Sequence, residues 1–189
     1  MRRHTSWAAV AALLLVAASA RAQTVLHRED AIEVRTQLLA DLDTLDAKFT
    51  ALANAFPEDK YSWRPEPGVR SVGEVFMHVA YTFYTSFPFA YGGKPSPDLP
   101  QGKDGYLKFE QVANKATVLK HVAAGPAYAK AAVQAADLNT LLAGKTVGGR
   151  TYSLVEISFL IETELHEHLG QLIAYARMNG ITPPWNKKP

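Results

Sequence analysis

The segment VRTQLLADLDTLDAKFTALANAF, residues 34 to 56, decides the fold class. Its large apolar side chains recur at intervals of four and three residues: Leu38, Leu42, Leu45, Phe49, Leu52 and Phe56. That spacing places all six on one stripe of an α-helix. The segment therefore predicts a long amphipathic first helix that buries one face against other helices.

Capping signals predict where a second helix begins. Ser71-Val72-Gly73-Glu74 fits a capping box, so this helix should start near Val72 and run to about Phe87, because Pro88 follows. The next segment, Tyr91 to Gly105, is rich in glycine and proline and too polar for a core. We expect it to be a long crossover loop or a lid.

Two more helices complete the pattern. A third is expected from about Asn114 to Asp137, with a kink or break at Gly125-Pro126. Gly144 to Tyr152 fits either an irregular turn or a very small hairpin. A second capping box, Ser153 to Glu156, begins a last helix that runs to Asn179. Four helices without a convincing strand predict an all-α four-helix bundle with a long crossover loop.

The N-terminal segment is expected to lie outside this bundle. Arg2 and Arg3 precede an unbroken apolar run from Ala8 to Ala18, and Ala20-Arg21-Ala22 resembles a small-residue cleavage site. Residues 1–22 are interpreted as a secretory signal peptide cleaved near Ala22, and residues 23–189 as one domain. The apolar run is too short for a stable membrane anchor, so an extracytoplasmic protein, periplasmic or secreted, is expected.

Composition excludes several functions. The whole chain has a net charge of +2, but without residues 1–22 it has 17 basic and 18 acidic residues, a net charge of about −1. This balance gives no basis for nucleic-acid binding. Cysteine is absent, which excludes disulfides and thiolate metal ligands. Any metal must therefore be bound by nitrogen and oxygen. The composition does not determine the oligomeric state, and a homodimer is one of the open alternatives.

The last predicted helix carries two histidines with different expected roles. Glu164 and His168 are one turn apart on one face, whereas His166 lies about 200° from His168 around the helix axis. His78 lies in the middle of the second helix. Together, His78, Glu164 and His168 would offer two imidazoles and a carboxylate, a donor set suited to Zn²⁺, Fe²⁺, Mn²⁺ or Ni²⁺.

The same residues also permit ordinary structural roles. A Glu/His pair four residues apart is often a solvated helix pair, and a histidine on an apolar face is often a hydrogen-bonded core residue. His27 and His121 are expected at the surface. A ferritin-like di-iron site is excluded because no histidine has glutamate three positions before it, and the H-E-x-x-H protease motif is absent.

Two stretches together resemble a known family. WRPEPGVRSVGEVFMHVA, Trp63 to Ala80, and HEHLGQLIAYARMNGITPPW, His166 to Trp185, resemble the DinB/YfiT-like family of four-helix-bundle metalloproteins. The resemblance implies a metal site with one histidine from the second helix and two ligands, one turn apart, from the last. These positions fall on His78, His168 and Glu164. Glu164 departs from the family's usual histidine, so the identity of the ion and its affinity stay open.

The resemblance also implies a class of chemistry. Members of the wider family include metal-dependent transferases and isomerases that use small thiols. The leading hypothesis is therefore an enzyme with one divalent ion per chain that activates a small thiol or water, as a transferase or a hydrolase acting on a small molecule. The alternative is a non-catalytic helical binding module of the cell envelope that holds a metal or a small apolar ligand. A lid over a cavity favours the enzyme, whereas a salt bridge from Glu164 to Arg or Lys favours the alternative.

Overall fold

The computed structural model describes residues 27–102 and 104–186, so the predicted signal peptide lies outside the described residues. The order of elements is α1 (Arg28–Ala55), α2 (Val72–Tyr91), α3 (Gly105–Glu110), α4 (Lys115–Ala135), α5 (Leu138–Leu142), β1 (Lys145–Val147), β2 (Arg150–Tyr152) and α6 (Leu154–Met178). Short 3₁₀ turns cover Glu58–Lys60 and Pro184–Asn186. The four long helices α1, α2, α4 and α6 form the bundle, which confirms the all-α prediction.

Helix α1 buries the stripe that the sequence predicts. All six apolar side chains of that stripe, including Phe56 directly after the helix, are at most 2% exposed. The helix begins six residues before the apolar pattern, at Arg28, where the backbone N–H of His27 donates to the Asp30 carboxylate at 3.2 Å. A polar cap therefore marks the start of the helix, and the buried Ala31 follows within its first turn.

Helix α2 continues through Pro88, so the prediction that it ends near Phe87 was wrong. Proline removes one N–H from the helix, which frees the carbonyl of the residue four positions earlier. That residue is Tyr84, whose carbonyl accepts a hydrogen bond from the backbone N–H of Ser96 at 3.1 Å. The helix ends instead at Tyr91, and the C-cap residue Gly92 adopts the left-handed conformation with φ of 78°.

Helix α4 is likewise one element across Gly125-Pro126. A Cβ added at Gly125 would lie 3.2 Å from the Cβ of Phe83, so the missing side chain permits α2 and α4 to approach closely. The helix begins where Asn114 accepts from the N–H of Thr117 at 3.0 Å. It ends at Ala135, and α5 follows as a separate short helix.

Of the two alternatives for residues 144–152, the structure adopts the hairpin. Strands β1 and β2 are antiparallel with Thr146 opposite Thr151. Gly148 and Gly149 in the turn have φ of 56° and 80°, values that side chains rarely tolerate and that fit the twist of a two-residue hairpin. The hairpin leads directly into α6.

Helices α2 and α6 run antiparallel, and this arrangement positions the candidate site. His78 lies opposite Glu164, and further along, the Tyr91 hydroxyl hydrogen-bonds Ser158 at 2.7 Å. Among the helices that the structure describes, none is long and apolar enough to cross a membrane.

His121 is a correction to the sequence analysis, because it is buried on α4 and not at the surface. Its Nδ1 lies 3.2 Å from the Tyr84 hydroxyl, and its ring packs edge-on against Phe109 of α3. His27, by contrast, is exposed as expected.

Candidate metal centre

The structure brings together the three residues that sequence analysis selected. Nε2 of His78 lies 2.8 Å from Oε1 of Glu164, and Nε2 of His168 lies 3.0 Å from the same oxygen. The ring centroids of the two histidines are 4.5 Å apart. Each residue offers a ligand atom within 4.8 Å of the others, so the group could hold a metal ion.

Acceptors on the far side of each ring orient the two imidazoles. Nδ1 of His78 faces the carboxylate of Glu110, and Nδ1 of His168 lies 2.8 Å from the carbonyl oxygen of the Gln171 side chain. An acceptor at Nδ1 favours the proton there, which leaves the Nε2 lone pair for a ligand. Both Nε2 atoms then face Oε1 of Glu164, so positive charge must lie among the three atoms, either as ring protons or as a metal ion.

Glu110 belongs to a network that the sequence analysis missed. Arg70 donates from Nε to Oε2 of Glu110 at 3.2 Å and from its guanidinium to the Tyr106 hydroxyl at 3.0 Å. The Tyr106 hydroxyl lies 3.1 Å from Nδ1 of His78. The side chain of Glu110 is only 10% exposed, and its charge is balanced by Arg70 and His78. These contacts fix the ring of His78 from behind.

The electrostatics of the site favour a cation. Burial alone would lower the pKa of His78, but hydrogen bonds to Glu110 and Glu164 raise it above its ordinary value. Burial would raise the pKa of Glu110, yet hydrogen bonds from His78 and Tyr106 and the charge of Arg70 hold it below the usual range. The hydrogen bond from His78 is the main cause of the lowered pKa of Glu164. Both carboxylates are therefore ionised near neutral pH.

Two of the three residues, His78 and Glu164, line an open depression of about 370 Å³. Its lining consists of His78, Tyr81, Thr82, Ser86, Tyr106 and Glu164. A second depression of about 540 Å³ adjoins it, shares Tyr81 and Tyr106, and is lined by residues of the loop from Pro95 to Gly102. The crossover segment thus forms a wall beside the site.

A comparison with known families identifies the chain. The DinB superfamily model matches residues 41–172, well over half of the 189 residues. The chain belongs to the DinB superfamily. The matched region of this DinB-superfamily protein includes His78, Glu164 and His168. A search of curated proteins found no match to the chain.

The donor set of this DinB-superfamily site fits a divalent ion. Imidazole nitrogen and carboxylate oxygen bind such ions at about 2.0–2.2 Å. Ligands at right angles around an ion at those distances are about 3 Å apart, close to the observed separations of 2.8 and 3.0 Å from Glu164 Oε1 to the two Nε2 atoms. Among the described residues, Glu164 pairs with the two histidines and with no Arg or Lys, the pairing that would have favoured the structural alternative.

The other prominent candidates lie apart from the centre. Nε2 of His166 contacts the Asp41 carboxylate of α1 at 2.9 Å, and the side chain is half exposed. Trp63 packs edge-on against Tyr175 with ring centroids 5.3 Å apart. The Tyr175 hydroxyl accepts from Gln171 and donates to the carbonyl of Arg70, so Trp63 supports the region behind His168.

Proposed function

We propose that this DinB-superfamily protein binds one divalent ion per chain through His78, Glu164 and His168, and uses it to activate a small thiol or water in a transfer or hydrolysis reaction. One observation carries the proposal: two imidazoles, each fixed by an acceptor at Nδ1, converge with a carboxylate oxygen at an open depression. Zn²⁺, Ni²⁺, Mn²⁺ and Fe²⁺ all accept this donor set.

The side chains around the centre would orient the metal ligands and the substrate. A bound divalent ion supplies Lewis-acid chemistry, lowering the pKa of a coordinated thiol or water. Glu110 and Gln171 orient the two rings, so that little rearrangement accompanies binding. The Tyr81 and Tyr106 side chains line the depression, where their hydroxyls can orient a small substrate by hydrogen bonds.

The expected location of the protein in the cell bears on which nucleophile, thiol or water, is used. If residues 1–22 are removed as a signal peptide, the protein acts outside the cytoplasm without a stable membrane anchor. Small reduced thiols are mainly cytoplasmic, so a location outside the cytoplasm weakens the case for a thiol-dependent reaction. Metal-assisted hydrolysis is then at least as well supported.

Metal content tests the proposal most directly. Mature protein purified without a chelating tag would be loaded with Zn²⁺, Mn²⁺, Ni²⁺ or Fe²⁺ in turn, and bound metal measured by mass spectrometry. We expect about one ion per chain for at least one metal, lost in His78→Ala. A chain that retains no ion under any loading would contradict the proposal.

One observation favours a second candidate, the non-catalytic binding module in the form that holds a small apolar ligand and no metal. The Nε2 atoms of His78 and His168 both lie within hydrogen-bond distance of Glu164, and each Nδ1 atom already has an acceptor. Protons on the two rings would therefore satisfy all of these hydrogen bonds without a metal ion. This alternative predicts a stable fold without metal and no change of the melting temperature on loading. Metal-dependent stabilisation would exclude it.

A further inference from the structure

A third depression extends the candidate site along the groove between α2 and α6. It measures about 500 Å³. Its lining is Thr85, Ser86, Phe89, Thr146, Val147, Ile157 and Ile161. Ser86 also lines the depression at the metal centre, so the two depressions adjoin at this residue. The third depression therefore extends from beside the metal centre towards the hairpin.

This extension is apolar where the rest of the site is polar. Ile157 and Ile161 lie along it at 7% exposure each, while Phe89 is 48% and Val147 45% exposed. The depression beside the crossover loop offers hydroxyl and amide groups, including those of Ser96, Gln101 and Tyr106. Hydrocarbon surface left exposed beside a reactive centre is covered when a ligand of matching shape binds.

We propose that the substrate carries an unbranched or aromatic hydrocarbon arm that lies in this apolar groove, with its reacting polar group at His78, Glu164 and His168. The proposal rests on the proposed function. Ile157 lies seven residues, or about 10 Å, before Glu164 on α6, which sets the length of the arm at six to eight carbon atoms. A volume of about 500 Å³ suits a small molecule.

Two hydroxamic acids that differ only in the arm provide the test. Acetohydroxamate and octanohydroxamate share a metal-chelating head group, and only the second carries a seven-carbon chain. Binding to Zn²⁺-loaded mature protein would be followed by NMR of the methyl groups of Val147, Ile157 and Ile161. We expect octanohydroxamate to bind at least about tenfold more tightly, because each buried methylene favours binding, and to shift these three methyl signals.

Two exposed phenylalanines supply matched variants. Phe89 lines the groove at 48% exposure, whereas Phe159 is 67% exposed and lines a separate depression beside His166. Phe89→Ser should reduce the preference for octanohydroxamate at least threefold, and Phe159→Ser should leave it unchanged. Equal affinities for the two probes in the unaltered protein, or equal effects of the two variants, would overturn the proposal.

Repeating the binding measurements on metal-free protein distinguishes a failure of this proposal from a failure of the proposed function. If no metal is retained but octanohydroxamate still shifts the three methyl signals and acetohydroxamate does not, the apolar site stands and the metal proposal fails. If both probes bind the metal-loaded protein equally, the metal proposal stands and the apolar arm is refuted. Absence of methyl shifts in both forms would refute the arm in either case.

Discussion

The ring of His78 lies between two carboxylates, Glu110 at Nδ1 and Glu164 at Nε2. Only the second can ligate an ion held with His168, so Glu110 has the role of orienting the ring and strengthening it as a donor. These two roles, ligation by Glu164 and ring orientation by Glu110, can be distinguished with substitutions that leave the ligands in place.

Glu110→Gln keeps an oxygen that can accept from His78 but removes the charge. We expect the affinity for Zn²⁺ to fall roughly 10- to 100-fold, measured by competition with a chromophoric chelator. Glu167→Gln is the control, since that residue is exposed and lines the separate depression beside His166. An unchanged affinity in Glu110→Gln would remove Glu110 from the metal site.

The two histidines of α6 give a second residue-level test. His168→Ala should abolish stoichiometric metal retention, because it removes one of three donors, while His166→Ala should leave metal content nearly unchanged, because its ring contacts Asp41 instead. Metal analysis of both purified variants decides. Equal losses would show that ligation involves the opposite face of α6.

Glu164→His restores the residue that the family resemblance implies at this position. We expect metal content to be kept and affinity to be equal or higher, because imidazole is an equally good ligand for Zn²⁺. The same chelator competition measures it. Complete loss of metal would mean that the carboxylate is needed for another partner, such as the ring proton of His78.

Sequence reasoning selected the three candidate ligands but not the residues that surround them. Helical spacing placed Glu164 and His168 on one face, His78 was selected from its position in the middle of the second helix, and the family resemblance pointed to the same three positions. Glu110 and Arg70 gave no such signal, since they meet across 40 residues and the pairing depends on how the crossover segment folds back. Local patterns report helical faces, and they do not report long-range ion pairs.

At the scale of elements, we expect the N-terminal cap of α2 to contribute measurably to the stability of the bundle. The Ser71 hydroxyl accepts from the backbone N–H of Glu74, and the Glu74 carboxylate accepts from the backbone N–H of Ser71. Ser71→Ala should lower the free energy of unfolding by about 1 kcal/mol, measured by urea denaturation. Ser62→Ala, at an exposed turn position, should have little effect; equal losses would show that the cap adds nothing specific.

The elements that sequence predicted well are those with strong local determinants. Both capping boxes mark true helix starts, at Val72 and Leu154. Helices α3 and α5, with six and five residues, are too short to show a period and were missed. Pro88 misled for another reason: the carbonyl it frees finds a partner in Ser96, a contact that only the folded chain provides.

For the whole molecule, His121 predicts how stability depends on pH. Burial, with the charge of Lys120, lowers its pKa in the folded protein below the ordinary 6.5. As pH falls below about 6.5, the unfolded chain therefore binds a proton that the folded chain resists, and the free energy of unfolding decreases until the folded pKa is passed. His78, whose pKa is raised, changes stability in the opposite sense.

His121→Gln isolates this contribution, because His78 is present in both proteins. We expect the variant to lose less stability than the unaltered protein between pH 7 and pH 5, as measured by denaturant unfolding at each pH. A parallel decrease in both proteins would show that His121 does not titrate with unfolding.

The separation of 86 residues between His78 and Glu164 has a consequence for when the ion is acquired. An unfolded chain offers only the pair Glu164 and His168, and recruiting His78 would mean closing a loop that long, at a cost of roughly 4 kcal/mol. The disordered polypeptide is thus a poor competitor for scarce metal. Loading would follow folding, and the supply would be drawn from whichever compartment the finished bundle occupies.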